Sequence, residues 1–376
     1  MRFQKYLAQF HPNSVVRLLR RWCRTNLVWW LDRLLLAAAS SPRSWIRRAA
    51  VQPLSEIRRL PKLLSDGFTV EVVLLRGIAA IGQSQLAVAY IGSGSSLDYL
   101  QHILFADRES QRERIERCRV WDLRKTVLAI EDRCDMAIIE RNSLLKWKPT
   151  SGRWVAGPPW VRMVYDFTPG ETWEQMRKRF RGQKQNMRRI ARSGYTYRIC
   201  HSSSDFDYFY RRMYLPYVTD RHHGYAIISD ERYLETLFRD GRLLFVLRGG
   251  TKPVAASLSL VYGDACYGIV TGVLDGDRKW VKDGALSALY YFEMMWCHDN
   301  GMRRMDVGRC RPFINDGLFG HKTLWGFRPI LDPWSEREWT FWVPNHYQPA
   351  HDWLSVHSYI PSIGQSHEDP MEMAVS

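Results

Sequence analysis

Residues 241–310 carry the pattern that most restricts the fold: three apolar, alternating segments separated by two short glycine-bearing turns. Leu243 to Arg248 is followed by Gly249-Gly250-Thr251-Lys252, Val254 to Tyr262 by Gly263-Asp264, and Ala265 to Thr271 completes the run. Segments joined by turns this short pair with their sequence neighbours, so they predict an antiparallel meander. A loop then leads into an apolar helix-length stretch, Ala285 to Asp299, stopped by Asn300-Gly301, and Arg303 to Val307 reads as the next strand. Upstream, Glu171 to Arg192 reads as one long helix closed by Ser193-Gly194, and Tyr195 to Cys200 as a strand. Asp205 to Thr219 and Asp230 to Arg239 read as helices, with Ser204 and either Ser229 or Asp230 as N-caps. Trp334 to Trp342 is a last strand. This order predicts an α+β domain built around a mixed, mostly antiparallel sheet flanked by helices.

The first half gives weaker signals. Phe68 to Arg76, Leu86 to Ile91, Met136 to Glu140 and Arg162 to Phe167 read as strands, and Gly92-Ser93-Gly94-Ser95-Ser96 as a loop before a helix from Leu97 to Phe105. Asp107 to Arg119 reads as a charged helix with a solvated face. Residues 1–65 read as a basic amphipathic helical segment broken by Pro42, Pro53 and Pro61. The domains expected are 1–65 as this basic segment, 66–167, 168–343, and a Pro/His-containing tail over 344–376.

A chain of 376 residues with 45% hydrophobic content has ample material for two packed domains, which excludes global disorder. Its net charge of +15 predicts attraction to polyanions: nucleic acid, an anionic membrane face or a phosphorylated cofactor. The seven cysteines include no CxxC spacing, so neither a disulfide framework nor a metal site is expected, and a reducing, cytoplasmic setting fits. Leu27 to Ala39, interrupted by Asp32 and Arg33, is shorter than the roughly 20 residues that cross a bilayer. Tryptophans and arginines mixed within residues 1–60 fit either a peripheral contact on the inner membrane face or a helical pair packed on the main body.

The chemistry concentrates between Asp306 and Phe327. A short strand runs into Gly308-Arg309, a Gly-containing loop is expected to follow, and His321-Lys322 precedes Trp325-Gly326-Phe327. A carboxylate and two fixed cations beside flexible backbone suit the holding of an anionic group; an ordinary charged loop is the alternative. Arg309 offers a bidentate fork and Lys322 a point charge. Asp306 either accepts a proton or partners Arg309. Gly284, at the start of the Ala285 helix, is the place for a pyrophosphate, with Lys279 and Lys282 nearby, although Asp283 as an N-cap would compete. Arg188 and Arg189 extend a basic run that fits either an RNA or cofactor contact or a solvated face. His223 and Tyr290 complete the candidates, as a base near neutral pH and as a proton donor to a leaving group.

Asn186-Met187-Arg188-Arg189-Ile190-Ala191-Arg192-Ser193-Gly194, Lys252-Pro253-Val254-Ala255-Ala256 and Asp306-Val307-Gly308-Arg309-Cys310 with His321-Lys322 and Trp325-Gly326-Phe327 occur in the order and spacing seen in one family. Over residues 165–330 the chain resembles GNAT-like acyltransferases of the FemAB/CelD type. The departures are His321 where the pattern has Phe, Cys310 where it has Ser, and no clean Gly-rich CoA loop over Asp275 to Gly284. The resemblance implies two tandem GNAT-like halves. It also implies transfer of an acyl group from acyl-CoA, or of an aminoacyl group from aminoacyl-tRNA, to an amine of a small molecule or a cell-envelope or exopolysaccharide precursor. In that setting Asp306, Lys322 and Arg309 are expected at the reacting centre, Lys279, Lys282, Gly284, Arg188 and Arg189 at the donor, and His223, Tyr290 and Gly308 at the substrate. A FemAB-type peptidyl ligase and a non-catalytic basic module that docks on membrane or RNA are the alternative readings.

Overall fold

A computed structural model describes residues 69–94, 96–106, 110–142, 153–180, 183–222, 228–332, 335, 337–344, 347–357 and 359. The basic segment expected over 1–65 lies outside them. The described residues form two compact units, one ending at Pro159 and resuming at Leu331, the other spanning Trp160–Ile330. The protein is an α+β molecule with two mostly antiparallel sheets flanked by helices, one sheet in each unit.

The first unit contains β1 (Thr69–Ile78), β2 (Gln85–Gly92), α1 (Leu97–Leu104), β3 (Gln111–Arg119), α2 (Leu123–Ile130), β4 (Met136–Asn142) and β5 (Arg153–Gly157). In the second lie β6 (Val161–Asp166), α3 (Trp173–Lys178), α4 (Lys184–Arg192) and β7 (Tyr195–Cys200). One helix follows, α5 (Ser203–Phe209) continuing through a π-turn (Tyr210–Tyr214) into α6 (Leu215–His222). Then come α7 (Glu231–Asp240), β8 (Gly241–Arg248), β9 (Lys252–Tyr262), β10 (Ala265–Val273), α8 (Arg278–Lys282), α9 (Ala285–Asp299), β11 (Arg304–Cys310), α10 (Gly317–Leu324) and β12 (Arg328–Leu331). The chain returns to the first unit with β13 (Arg337–Val343) and α11 (Gln348–Val356), the latter a helix within the expected tail.

The first sheet has the order β3-β1-β2-β4-β13-β5. Every residue of β4 is buried, and it pairs in parallel with β2 from Val88↔Met136 to Ile91↔Ile139. A strand buried on both faces is what a parallel pair with a helical crossover requires. Leu123, Val127 and Ile130 of α2 cover one face, packed with Val72, Leu74, Ala89, Ile91 and Ile139. Glu140 at the end of β4 is 1% exposed. It accepts bonds from Arg337 at 2.8 Å, Trp339 Nε1 at 2.9 Å and Ser93 Oγ at 2.9 Å. Burial pushes its pKa up, but Arg337 and the hydrogen bonds from Trp339, Ser96 and Ser93 outweigh burial and hold it below the usual range.

Two of the expected helices need correction. The charged segment before Arg119 is not a helix but the edge strand β3, paired with β1. Its alternating Arg and Glu meet opposite charges across the pair: Arg114 and Arg117 reach Glu71, and Glu113 reaches Arg76. Charges on an edge strand also keep other chains from adding to it. The helix expected over Glu171 to Arg192 is two helices. Thr172 starts α3 with a capping box, and Phe180 and Gln183 turn inward between α3 and α4, with Phe180 edge-on to Trp325 at 5.5 Å. Burial of that ring outweighs continuous helix propensity.

The second sheet runs β12-β6-β11-β10-β9-β8-β7. β7, β8, β9 and β10 form the expected antiparallel meander, extended by one strand at β7, and β11 joins β10 in parallel. The sequence boundary at 167/168 separates β6 from the sheet it joins, and the boundary at 343 puts β13 with the second unit, whereas β13 pairs with β4 and β5. Strand pairing across more than 100 residues leaves no local mark.

Beneath α9, Arg242 of β8 is 4% exposed, ion-paired with Glu293 and stacked on Trp296 at 3.6 Å. Glu293 also accepts from Ser257 and from Ser259 at 3.3 Å. Truncation of one partner strands a buried charge. Glu293→Ala is therefore expected to lower unfolding free energy by about 3–5 kcal/mol, whereas Arg242→Met/Glu293→Leu loses less; urea titration measures both.

Candidate active site

The site forms where β10 and β11 part. They are paired in parallel only from Ala265↔Arg304 to Tyr267↔Asp306. Beyond that point β10 runs on to Val273 while β11 bends away. Both strands carry irregularities here, β10 between Gly268 and Val270 and β11 between Asp306 and Arg309. At the fork the strands stay close: a side chain on Gly268 would lie in ordinary contact with the Asp306 carbonyl oxygen, at 3.4 Å. Gly308 has φ +77°, a conformation that favours glycine, and this lets β11 turn.

Two buried charges hold that turn. Asp306 is 2% exposed, accepts from Arg162 Nε at 2.5 Å through one oxygen and from the Gly308 N–H at 2.8 Å through the other. Lys322, 3% exposed on α10, donates from Nζ to the carbonyls of Val307 at 2.9 Å, Gly308 at 3.3 Å and Arg309 at 3.0 Å. An ammonium has three donors, and all three are used. Burial lowers its pKa to about 8, against the opposing pull of Cys310 and Asp306. Burial pushes the Cys310 thiol up to about 12. The helix that delivers Lys322 was expected to be loop; Asp316 caps it, accepting from Leu318 N and Phe319 N at 3.0 Å. Arg309 lies exposed at the outer end of β11.

The second part is the start of α9. Its N-cap is Gly284, φ +90°, with no side chain capping the first turn. Asp283 does not cap; it pairs with Arg248 at 3.1 Å. The N-terminal N–H groups of a 15-residue helix, left uncapped, favour an anion. Arg189 of α4 stands beside it, its Cβ 3.4 Å from where a Gly284 side chain would begin. Arg188 and Arg192 face outward from the same helix. Lys279 on α8 is exposed and paired with Asp277 at 2.9 Å, and Lys282 is exposed.

Tyr290 lies one face along α9, edge-on to His321 at 5.3 Å and Phe327 at 5.9 Å and stacked with Trp325 at 6.3 Å. The structure thus brings Asp306, Gly308 and Lys322 together, and separately Gly284 with Arg189. His223 lies outside the described residues. Arg162, the partner of Asp306, was missed; its only mark is a lone cation in the apolar strand Val161 to Tyr165. Among the described residues Cys266, Glu293 and Cys297 bring potential ligand atoms within 4.8 Å of one another. The Arg242 guanidinium stands 3.5 Å from Cys266 Sγ and pairs with Glu293, so a cation there would face a fixed positive charge.

Residues 175–322 match the family model of the acetyltransferase (GNAT) domain. The chain therefore carries a GNAT-type domain in its second unit, and that domain is an acyltransferase. No curated protein matches the sequence. Among solved structures, the C-terminal domain of a protein described as a lysylphosphatidylglycerol synthetase from Agrobacterium fabrum is similar at 16% identity and TM-score 0.34, covering 79% of this chain and 90% of that one. FemX is similar at 11% identity and TM-score 0.37, covering 71% and 83%. A tandem GNAT protein from the clavulanic acid biosynthesis pathway is similar at 14% identity and TM-score 0.29, covering 85% and 95%.

The lowered pKa of Lys322 carries a pH signature. Between about pH 8 and 10.5 the unfolded chain holds this proton and the folded one releases it, so the group's burial penalty is full below pH 8 and fades as pH rises. The stability advantage of the native protein over Lys322→Met is expected to grow by about 1–2 kcal/mol from pH 7 to 9.5, read by paired denaturant titrations.

Proposed function

We propose that the protein is an N-acyltransferase that moves an acyl or aminoacyl group from an anionic donor to an amine of a small molecule or cell-envelope precursor. The observation that carries this reading is the presence in one unit of the fork between β10 and β11 and of an uncapped helix N-terminus flanked by Arg189. The donor's phosphates lie at Gly284 and the first turn of α9, with Arg189 as the partner cation and Lys282 at the rim. The acyl carbonyl enters the fork. The amine nitrogen attacks it to form the C–N bond, backbone N–H groups of β10 beyond the last β11 pair steady the oxyanion, the bond to sulfur or oxygen breaks, and the proton lost by the amine passes through solvent to the leaving thiolate or alkoxide. Both oxygens of Asp306 are already engaged, so we assign Asp306 and Lys322 to holding the strand end that positions Gly308 and Arg309, with Arg309 reaching the acceptor. Tyr290 lines the acceptor side.

Two donors fit these groups, acyl-CoA and aminoacyl-tRNA. The +15 net charge and the outward Arg188 and Arg192 favour the larger polyanion. No helix among the described residues is long and apolar enough to cross a membrane; a peripheral contact through residues 1–60 remains part of the proposal only where the acceptor is lipid-linked.

Calorimetric titration with acetyl-CoA, CoA and total tRNA tests the reading. Saturable binding of one of these near one per chain is expected. Arg189→Ala should weaken it by about tenfold, Arg188→Ala by less. Binding of none of them removes the acyltransferase donor site from this surface.

A further inference from the structure

The connection from β10 to α9 is fastened to the helix of residues 203–222 at three successive points. Pro216 lies inside that helix, has no N–H, and in an α-helix would press on the carbonyl four residues earlier. The π-turn Tyr210–Tyr214 precedes it, with the Leu215 N–H donating to the Tyr210 carbonyl, and widens the helix there. The widened turn lies against β10 at Gly272, where a side chain would come within 2.6 Å of the Met213 carbonyl carbon and the Tyr214 nitrogen. Gly276, φ +67°, approaches the Pro216 carbonyl in the same way, at 2.9 Å. Between them Asp275 is held at φ +53° and receives a two-pronged bond from Arg212, Nε to Oδ1 at 2.8 Å and Nη2 to Oδ2 at 3.0 Å.

An exposed ion pair contributes little to global stability. Here its geometry is a fork on a planar carboxylate, and it closes over a backbone turn in a left-handed conformation that aspartate tolerates but does not prefer. From this turn the chain passes directly into α8, capped by Asp277, and then through Gly284 into α9. The position of the α9 N-terminus follows from where the turn is held.

We infer that Arg212 and Asp275 are positioning residues for acyl transfer: their fork, seated by Gly272 and Gly276 on the π-turn, fixes the β10–α9 connection in the shape that receives the donor's phosphates. The inference rests on the acyltransferase reading above. Neither residue touches the reacting atoms.

The test uses Arg212→Ala, Asp275→Asn and the double variant of the full chain. Asparagine keeps the left-handed turn accessible and removes the charge. With whichever of acetyl-CoA or total tRNA the parent protein binds, each single variant is expected to weaken binding by about tenfold, through lost preorganisation. The loss should fall on KM for the donor rather than on kcat. The double variant should be no worse than either single, because one interaction is removed in all three. Amide exchange over residues 274–284 should quicken in the variants and stay unchanged in β8 and β9. Donor affinity equal to the parent's, additive losses, or unchanged exchange in 274–284 overturns the clamp alone. A parent that binds neither probe overturns the donor reading and this inference together.

Discussion

The second unit turns on one ammonium group. Lys322 Nζ gathers three consecutive carbonyls of β11, which an extended strand would point alternately to opposite sides. Gly308 supplies the backbone freedom, Asp306 takes the Gly308 N–H, and Arg162 neutralises Asp306. Each group satisfies the next, so none stands as a buried polar atom without a partner. This arrangement sits where β11 leaves β10, between Asp306 and Arg309.

A fork of this kind does chemistry only if something fixes the reacting groups on either side of it. On the β10 side the fixed element is α9, pinned from below by the buried Arg242–Glu293 pair and from its start by Arg189, Arg248 and the turn at Asp275. A rigid scaffold beneath short polar connections is the usual division between stability and binding. Arg189 stands on one helix and Lys322 on another, so the start of α9 and the strand-end carbonyls of β11 are held by different elements.

The meander and α9 were legible because they rest on local signals: alternation, short glycine turns and a terminal cap. The residues Asp306 and Lys322 were legible as a pair of interest, but not their roles. A lysine that donates to three carbonyls looks, in sequence, the same as one that awaits a phosphate. Arg162 was hidden because its partner lies 144 positions away. β3 was misread since alternating Arg and Glu suit a solvated helix as well as an edge strand; only the charges of Glu71 and Arg76 across the pair decide between them. α10 was missed because Gly317 and Gly320 argue against a helix, and the cap at Asp316 with burial of Phe319 outweighs them.

Glu140 gives the first unit a different character. Its sheet also has a parallel pair, β2 with β4, followed by a Gly-Ser loop that opens a helix. In that loop Ser93 and Ser96 turn their hydroxyls inward to a carboxylate that stays ionised below the usual pH range. A phosphate approaching there would meet a like charge already surrounded by the donors it needs. The loop of the first unit is thus self-sealed: its hydroxyls answer a carboxylate of their own sheet rather than a group from outside.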